Sequence, residues 1–207
     1  MSNGIKIQEI QKSDRVINNM NNSEEQLIKK LIAGEEHAYR ELIDNYREPV
    51  LRLCRGFTGS GDDAEDLAQD IFLEVFRSIR RFRGQSSLST WIYRIAVNKS
   101  LNFIRYRKKR DYDEYNQAAD IEDRDNEESS ADEQLVQKEH AAALHDAIDS
   151  LPSAQRTAFV LSKYEDMKYS EIADIMKTSV SSVESLLFRA KRNLQERLYD
   201  YYKKNLQ

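Results

Sequence analysis

From Glu24 to Gly34 the apolar residues Leu27, Ile28, Leu31 and Ile32 recur at helical spacing, and Gly34 supplies a stop. A second stretch places Ala38, Leu42, Ile43 and Tyr46 on one face, with Pro49 interrupting or restarting the helix. A loop is expected over residues 56–61. Asp62 follows as the expected N-cap, with Glu65 three residues on. The helix it opens carries Leu67, Ile71 and Val75 at i, i+4 and i+8, beside Ala64 and Ala68. Gly84, Gln85, Ser86 and Ser87 break the pattern. Beyond them Trp91, Ile95, Asn98 and Asn102 lie along a fourth helix that ends in the basic run 105–110.

Residues 111–133 are acidic and polar, with no apolar stripe. Helical period returns near Gln134 with Leu144, Ile148 and Leu151. Pro152 is placed to begin the next helix, whose apolar residues are Ala158, Phe159 and Leu161. Tyr169–Met176 reads as a short amphipathic helix, Lys177, Thr178 and Ser179 as a tight turn, and Val180 as the start of a longer helix. Residues 1–22 are polar and show no period, so a disordered arm is expected there, with Met20 a candidate translation start. The pattern predicts an all-α protein. Two small helical domains, a four-helix unit over 23–110 and a second unit over 134–207, are joined by an acidic flexible linker. Two prolines and six glycines in 207 residues agree with long helices and short turns.

Charge sharpens the picture. From Arg77 to Arg110 there are eleven Arg or Lys and no acid, whereas Asp111 to Glu139 holds twelve acids against Arg124 and Lys138. A solvated helix face usually mixes signs, so an acid-free basic stretch points to a polyanion. No apolar run is long enough for a membrane helix, and no secretory signal pattern opens the chain. Cys54, the single cysteine, sits among Val50, Leu51 and Leu53 and reads as a buried thiol. A reducing, cytoplasmic compartment is expected, with the protein associated with the nucleoid.

Helix, three-residue turn and helix at 169–200 are the parts of a helix-turn-helix. Val183, Leu187, Ala190 and Leu194 share an arc that would pack on the first helix. The opposite arc carries Ser181, Ser185, Phe188 and Arg192, with Arg189 beside it. Short hydroxyls could reach base edges there, and the cations could hold phosphates. An ordinary helical hairpin with a polar surface would show the same pattern.

The stretch Ala64-Glu65-Asp66-Leu67-Ala68-Gln69-Asp70-Ile71-Phe72 resembles the region-2 signature of sigma factors. So does Phe82-Arg83-Gly84 leading into Ser89-Thr90-Trp91-Ile92-Tyr93-Arg94-Ile95-Ala96-Val97-Asn98. Leu151-Pro152 and the run from Tyr169 to Leu194 resemble region 4. With only regions 2 and 4, the layout is similar to the extracytoplasmic-function (ECF) group of the sigma-70 family. The resemblance implies a subunit of RNA polymerase that directs promoter-specific initiation, with no catalytic residue, cofactor or metal of its own. It implies docking of Asp66, Gln69, Asp70 and Glu74 on the clamp helices of the largest polymerase subunit. It implies a minus-ten pocket rimmed by Gln85, Ser86, Ser87 and Leu88, with Trp91 and Tyr93 as aromatic candidates and Arg94, Lys99, Arg105 and Arg107 on phosphates. Trp91 is the weak member of that set, because a lone Trp on a helix is more often a core residue.

For region 4 the resemblance implies minus-thirty-five contacts by Ser181, Ser182, Glu184, Ser185, Phe188, Arg189 and Arg192, and docking on the flap of the second-largest subunit. Glu184 departs from the family, which often has a cation there; it either accepts from a cytosine amino group or weakens phosphate attraction. An anti-sigma partner is also implied. A free-standing regulator would explain 134–200 but not the order of features at 62–110. For an enzyme there is no support: His140 and His145 are five residues apart, and no Cys-His cluster or phosphate loop occurs.

Overall fold

A computed structural model describes residues 23–117 and 132–205, and every regular element among them is helical. The expected N-terminal arm, Met20 and most of the expected linker lie outside the described residues. Helix α1 (residues 23–33) buries Leu27 and Leu31. Helix α2, Glu36–Thr58, runs through both Pro49 and Gly56, where an interruption and a loop were expected. An interior proline costs about 3 kcal/mol. The turns on either side bury Leu42, Val50, Leu53 and Phe57, each fully, and a buried side chain of that size contributes roughly 1.5–3 kcal/mol. Packing therefore outweighs the break. Gly59 ends the helix in the left-handed region at φ 70° and donates its N–H to the carbonyl of Arg55.

Helix α3 spans Gly61–Ser78, and its N-cap is Ser60 rather than Asp62. The Ser60 hydroxyl accepts from the Asp63 N–H at 3.4 Å, so Asp62 and Asp63 fall in the first turn, where their charge favours the helix dipole. Its expected stripe of Ala64, Leu67, Ala68, Ile71 and Val75 is buried, joined by Phe72. After a short 3-10 turn, Ile79–Arg81, helix α4 spans Leu88–Gln117, continuing into the acidic interval. Its buried face is Leu88, Ile92, Ala96, Ser100 and Ile104, with Tyr93 and Val97. The expected line is offset from this face: Trp91 and Ile95 are half-buried, Asn98 and Asn102 exposed. Small Ala96 and Ser100 take the inner positions, and the Ser100 hydroxyl is satisfied by the Ala96 carbonyl at 2.8 Å.

The C-terminal unit comprises α5 (Asp132–Asp149), α6 (Ser153–Lys163), α7 (Tyr169–Met176) and α8 (Val180–Asn205). Lys177, at φ 53°, turns α7 into α8. Ile172, Ala173 and Ile175 of α7 pack with Val183 and Leu187 of α8, while Ala190 and Leu194 face Ala147, Ile148 and Leu151. Helix α7 and the start of α8 lie where the sequence places them, while α8 runs on beyond residue 200 to Asn205.

The two units share a core. Ala158, Val160, Leu161, Ile172 and Ile175 join the same buried cluster as Leu53, Phe57 and Ile92. Helix α2 approaches α6 so closely that a Cβ on Gly56 would sit 2.8 Å from Val160 Cγ1.

Candidate nucleic-acid interface

On α8 the outward arc stands clear of the core. Ser181, Glu184, Ser185, Phe188, Arg189 and Arg192 are exposed, Phe188 to 69%. Ser182 is half-buried because the helix start employs it: the Ser179 hydroxyl accepts its N–H at 3.2 Å and lies 2.9 Å from its side-chain oxygen. Arg189 folds back to the Ser185 carbonyl at 3.2 Å, and Arg192 is 3.7 Å from Glu196. Both cations are free to rotate outward, since such exposed contacts contribute little.

Helix α3 presents Asp66, Gln69 and Asp70 to solvent. Glu74, one turn on, is half-buried and 3.5 Å from Lys99 of α4, so the acidic face of one helix abuts the basic face of the next. Sequence reasoning missed Leu73, 47% exposed beside these acids. With Ile43, Leu51, Phe72 and Phe76 it borders a groove of about 380 Å³. Its signal was present as an apolar residue three and four positions beyond Asp70 and Gln69.

The loop after Gly84 opens on a cleft of about 730 Å³. Of the residues expected there, Gln85, Ser86, Trp91 and Arg94 line it. Trp91 meets Phe82 edge to face at 5.3 Å, so packing and cleft exposure are both true of it. Arg81, Phe82 and Arg83 line the cleft as well, and their basic and aromatic character was legible in the basic stretch. Two expected residues are placed otherwise. Leu88 does not form the rim: its side chain is fully buried and anchors the loop in the core. Ser87 caps α4, its hydroxyl accepting from the Thr90 N–H at 3.1 Å.

Tyr93 is also buried, and its hydroxyl donates to Glu165 Oε2 at 2.7 Å. Burial first, and the Glu165 carboxylate next, push the phenol pKa up, so it stays a donor. Burial raises Glu165 in turn, opposed by the hydrogen bond from Tyr93 and by Arg52. Arg107 donates to the Thr58 carbonyl at 3.0 Å and to Asp149 Oδ2 at 2.7 Å. Arg105 stays exposed, and among the described residues its hydrogen bonds go to Leu101 and Asn102 of its own helix. The Cys54 thiol is pushed up to about 12 by burial, which makes it inert.

Residues 42–110 match the family model for Sigma-70 region 2, and residues 141–194 match that for Sigma-70 region 4. The chain is 31% identical to the RNA polymerase sigma-H factor of Pseudomonas aeruginosa over 180 residues, 84% of this chain and 93% of that one. It is also 30% identical to the ECF RNA polymerase sigma-E factor of Haemophilus influenzae, over 85% of this chain and 95% of the relative. The chain is an ECF sigma factor of the sigma-70 family. Its fold resembles that of CnrH solved in complex with the cytosolic domain of CnrY, at a TM-score of 0.63 and 20% identity over 86% of this chain and 97% of that one. As a sigma factor it binds core RNA polymerase and directs promoter-specific transcription initiation. No described helix of this sigma factor is long and apolar enough to cross a membrane.

Proposed function

We propose that three surfaces divide the work of this sigma factor. Asp66, Gln69, Asp70 and Glu74 of α3 dock on basic groups of the clamp helices of the largest polymerase subunit, with Leu73 as an apolar anchor among them. Gln85, Ser86 and Trp91 receive an unstacked base of the minus-ten strand, while Arg94, Lys99, Arg105 and Arg107 follow its phosphates. Ser181, Ser182, Glu184, Ser185, Phe188, Arg189 and Arg192 meet the minus-thirty-five duplex, and region 4 also engages the flap of the second-largest subunit. The protein performs no bond chemistry of its own, requires no cofactor, works in the cytoplasm at the nucleoid, and is restrained by an anti-sigma partner.

The separation of charge on adjoining helices carries this reading. Helix α3 exposes Asp66, Gln69 and Asp70. The stretch from Arg77 through most of α4 has eleven cations and no acid. One side suits a basic protein surface and the other a polyanion. Run-off transcription from a promoter library, with core polymerase alone and with the purified chain, tests it. Transcripts from a defined promoter class only when the chain is added support the reading. Their loss in Asp70→Lys, with co-purification also lost, supports the docking face. An Asp70→Lys chain that still binds core at full strength overturns that face.

A further inference from the structure

We propose that Glu184 is a specificity-determining residue of the recognition helix. Its carboxylate accepts a hydrogen bond from the exocyclic amino group of a cytosine in the major groove of the minus-thirty-five duplex. This deepens the assignment of region 4 made above and rests on it.

Glu184 has no structural task in this fold. It is exposed on the second turn of α8, which begins at Val180. The start of that helix is completed by another group, the Ser179 hydroxyl, which accepts the Ser182 N–H at 3.2 Å. Glu171 of α7 shows the capping use of a glutamate: three residues beyond Lys168, it accepts the Lys168 N–H at 2.8 Å. Glu184 stands two positions too far along α8 for that role. Nor does it balance a cation on its own helix. Glu36 and Glu196 pair with Arg40 and Arg192 one turn away, whereas one turn from Glu184 lie Val180, Ser181, Leu187 and Phe188. Arg189 turns its Nε to the Ser185 carbonyl at 3.2 Å instead. Among the described residues, no ion pair or hydrogen bond engages the Glu184 side chain.

An unneutralised carboxylate on a face that meets phosphates is repelled unless the duplex offers it a donor. On this face the hydroxyls both donate and accept, Phe188 does neither, and the arginines only donate; Glu184 alone only accepts. With Ser185, Phe188 and Arg189 it borders an open recess of about 500 Å³, so the acceptor stands beside the apolar ring and a cation. In the major groove, cytosine presents the donor N4, and adenine presents the donor N6 beside the acceptor N7. Guanine and thymine present only acceptors and the thymine methyl. A group with no proton to give is therefore matched by cytosine, half satisfied by adenine and repelled by the other two. Phe188 sets the register. It lies four residues on, about 6 Å along the helix axis, which is under two base-pair steps of about 3.4 Å. The cytosine thus falls within two base pairs of the thymine that Phe188 contacts.

The test uses the holoenzyme, the full chain on core polymerase, with a promoter library randomised at the minus-thirty-five element; bound promoters are sequenced. Glu184 is exposed, and Ala and Gln are good helix formers, so Glu184→Ala and Glu184→Gln keep the fold. The parent is expected to enrich cytosine at one position by roughly fivefold to a hundredfold over guanine or thymine. Glu184→Ala should erase that preference and leave the other positions unchanged. Glu184→Gln should move it to adenine, whose N6 and N7 a glutamine amide pairs with. A parent with no cytosine preference within two base pairs of the position that Phe188→Ala flattens overturns the proposal. So does a Glu184→Ala chain that binds every sequence more tightly with base preferences unaltered, the mark of simple repulsion. Arg189→Ala separates that failure from failure of the region-4 assignment. Weakened binding across the library keeps α8 on the duplex and discards only the cytosine contact, whereas unaltered binding discards both.

Discussion

The carboxylate of Glu24, in the first turn of α1, accepts a hydrogen bond from the backbone N–H of Leu88, the first residue of α4. That N–H has no acceptor within its own helix. The contact ties α1 to the end of the loop that borders the cleft, 64 residues away in sequence. Replacing Glu24 by Ala is expected to cost about 1 kcal/mol, as loss of a helix cap does. The Leu88 amide should exchange faster with solvent, and promoter opening should fall more than core binding. Glu24→Gln, which keeps an acceptor oxygen, should lie between the two; equal exchange in all three chains refutes the role.

Phe188 and Arg189 are neighbours on the recognition helix with separable tasks. Phe188, the most exposed large apolar residue of region 4, offers contact to a thymine methyl. Phe188→Ala should weaken binding to the preferred minus-thirty-five duplex by about 1–3 kcal/mol and flatten its preference at one position. Arg189→Ala should weaken all duplexes alike and lower the salt dependence by about one counterion. Titrations at several salt concentrations on specific and scrambled duplexes distinguish them.

Much of this was legible beforehand where one physical signal dominated. The α3 stripe is regular because each large residue faces the core, and the α7–α8 bounds follow from the turn at Lys177. The inner face of α4 was misplaced because its tightest positions are Ala96 and Ser100, which hydrophobic patterning undervalues. Helix α2 was cut short because local rules count Pro49 and Gly56 as breakers. Gly56 is there for a different reason, the approach of Val160 from α6. Contacts across more than a hundred residues leave no local periodicity. The pairing of Arg52 with Glu165, 113 positions apart, is invisible in sequence for that reason.

Arg156 is 2% exposed and shares Asp149 with Arg107. Burial lowers its pKa, and the Asp149 carboxylate beside it opposes that shift. Arg156→Ala should destabilise the protein by about 3 kcal/mol, at the lower end for a broken buried pair because Arg107 keeps Asp149 company. Arg156→Met should recover part of the loss by filling the space. Urea denaturation measures both; a change under 1 kcal/mol for Arg156→Ala would be too small for a buried pair.

His145 packs against Gly59, with Asp149 3.3 Å from its ring nitrogen. Burial holds its pKa below the ordinary 6.5, helped by Arg156 and Arg107 and opposed by Asp149 and Asp146. The unfolded chain thus binds a proton at a pH where the folded one does not. Stability from this group is complete above 6.5 and is lost as pH falls through that value toward the folded pKa. His145→Gln should flatten the slope of unfolding free energy below pH 6.5, in urea titrations at fixed ionic strength, and an unchanged slope assigns it to other groups.

The end of α2 has a consequence for the order in which the protein takes shape during synthesis. Its last carbonyls, on Phe57 and Thr58, are completed by Arg156 and Arg107. A chain emerging N-terminus first exposes the Thr58 carbonyl until Arg107 leaves the ribosome, and the Phe57 carbonyl until Arg156 does, ninety-nine residues after it was made. Region 2 thus spends most of translation as an incomplete fold, and its own helix reaches a finished state only when the second half of the polypeptide arrives.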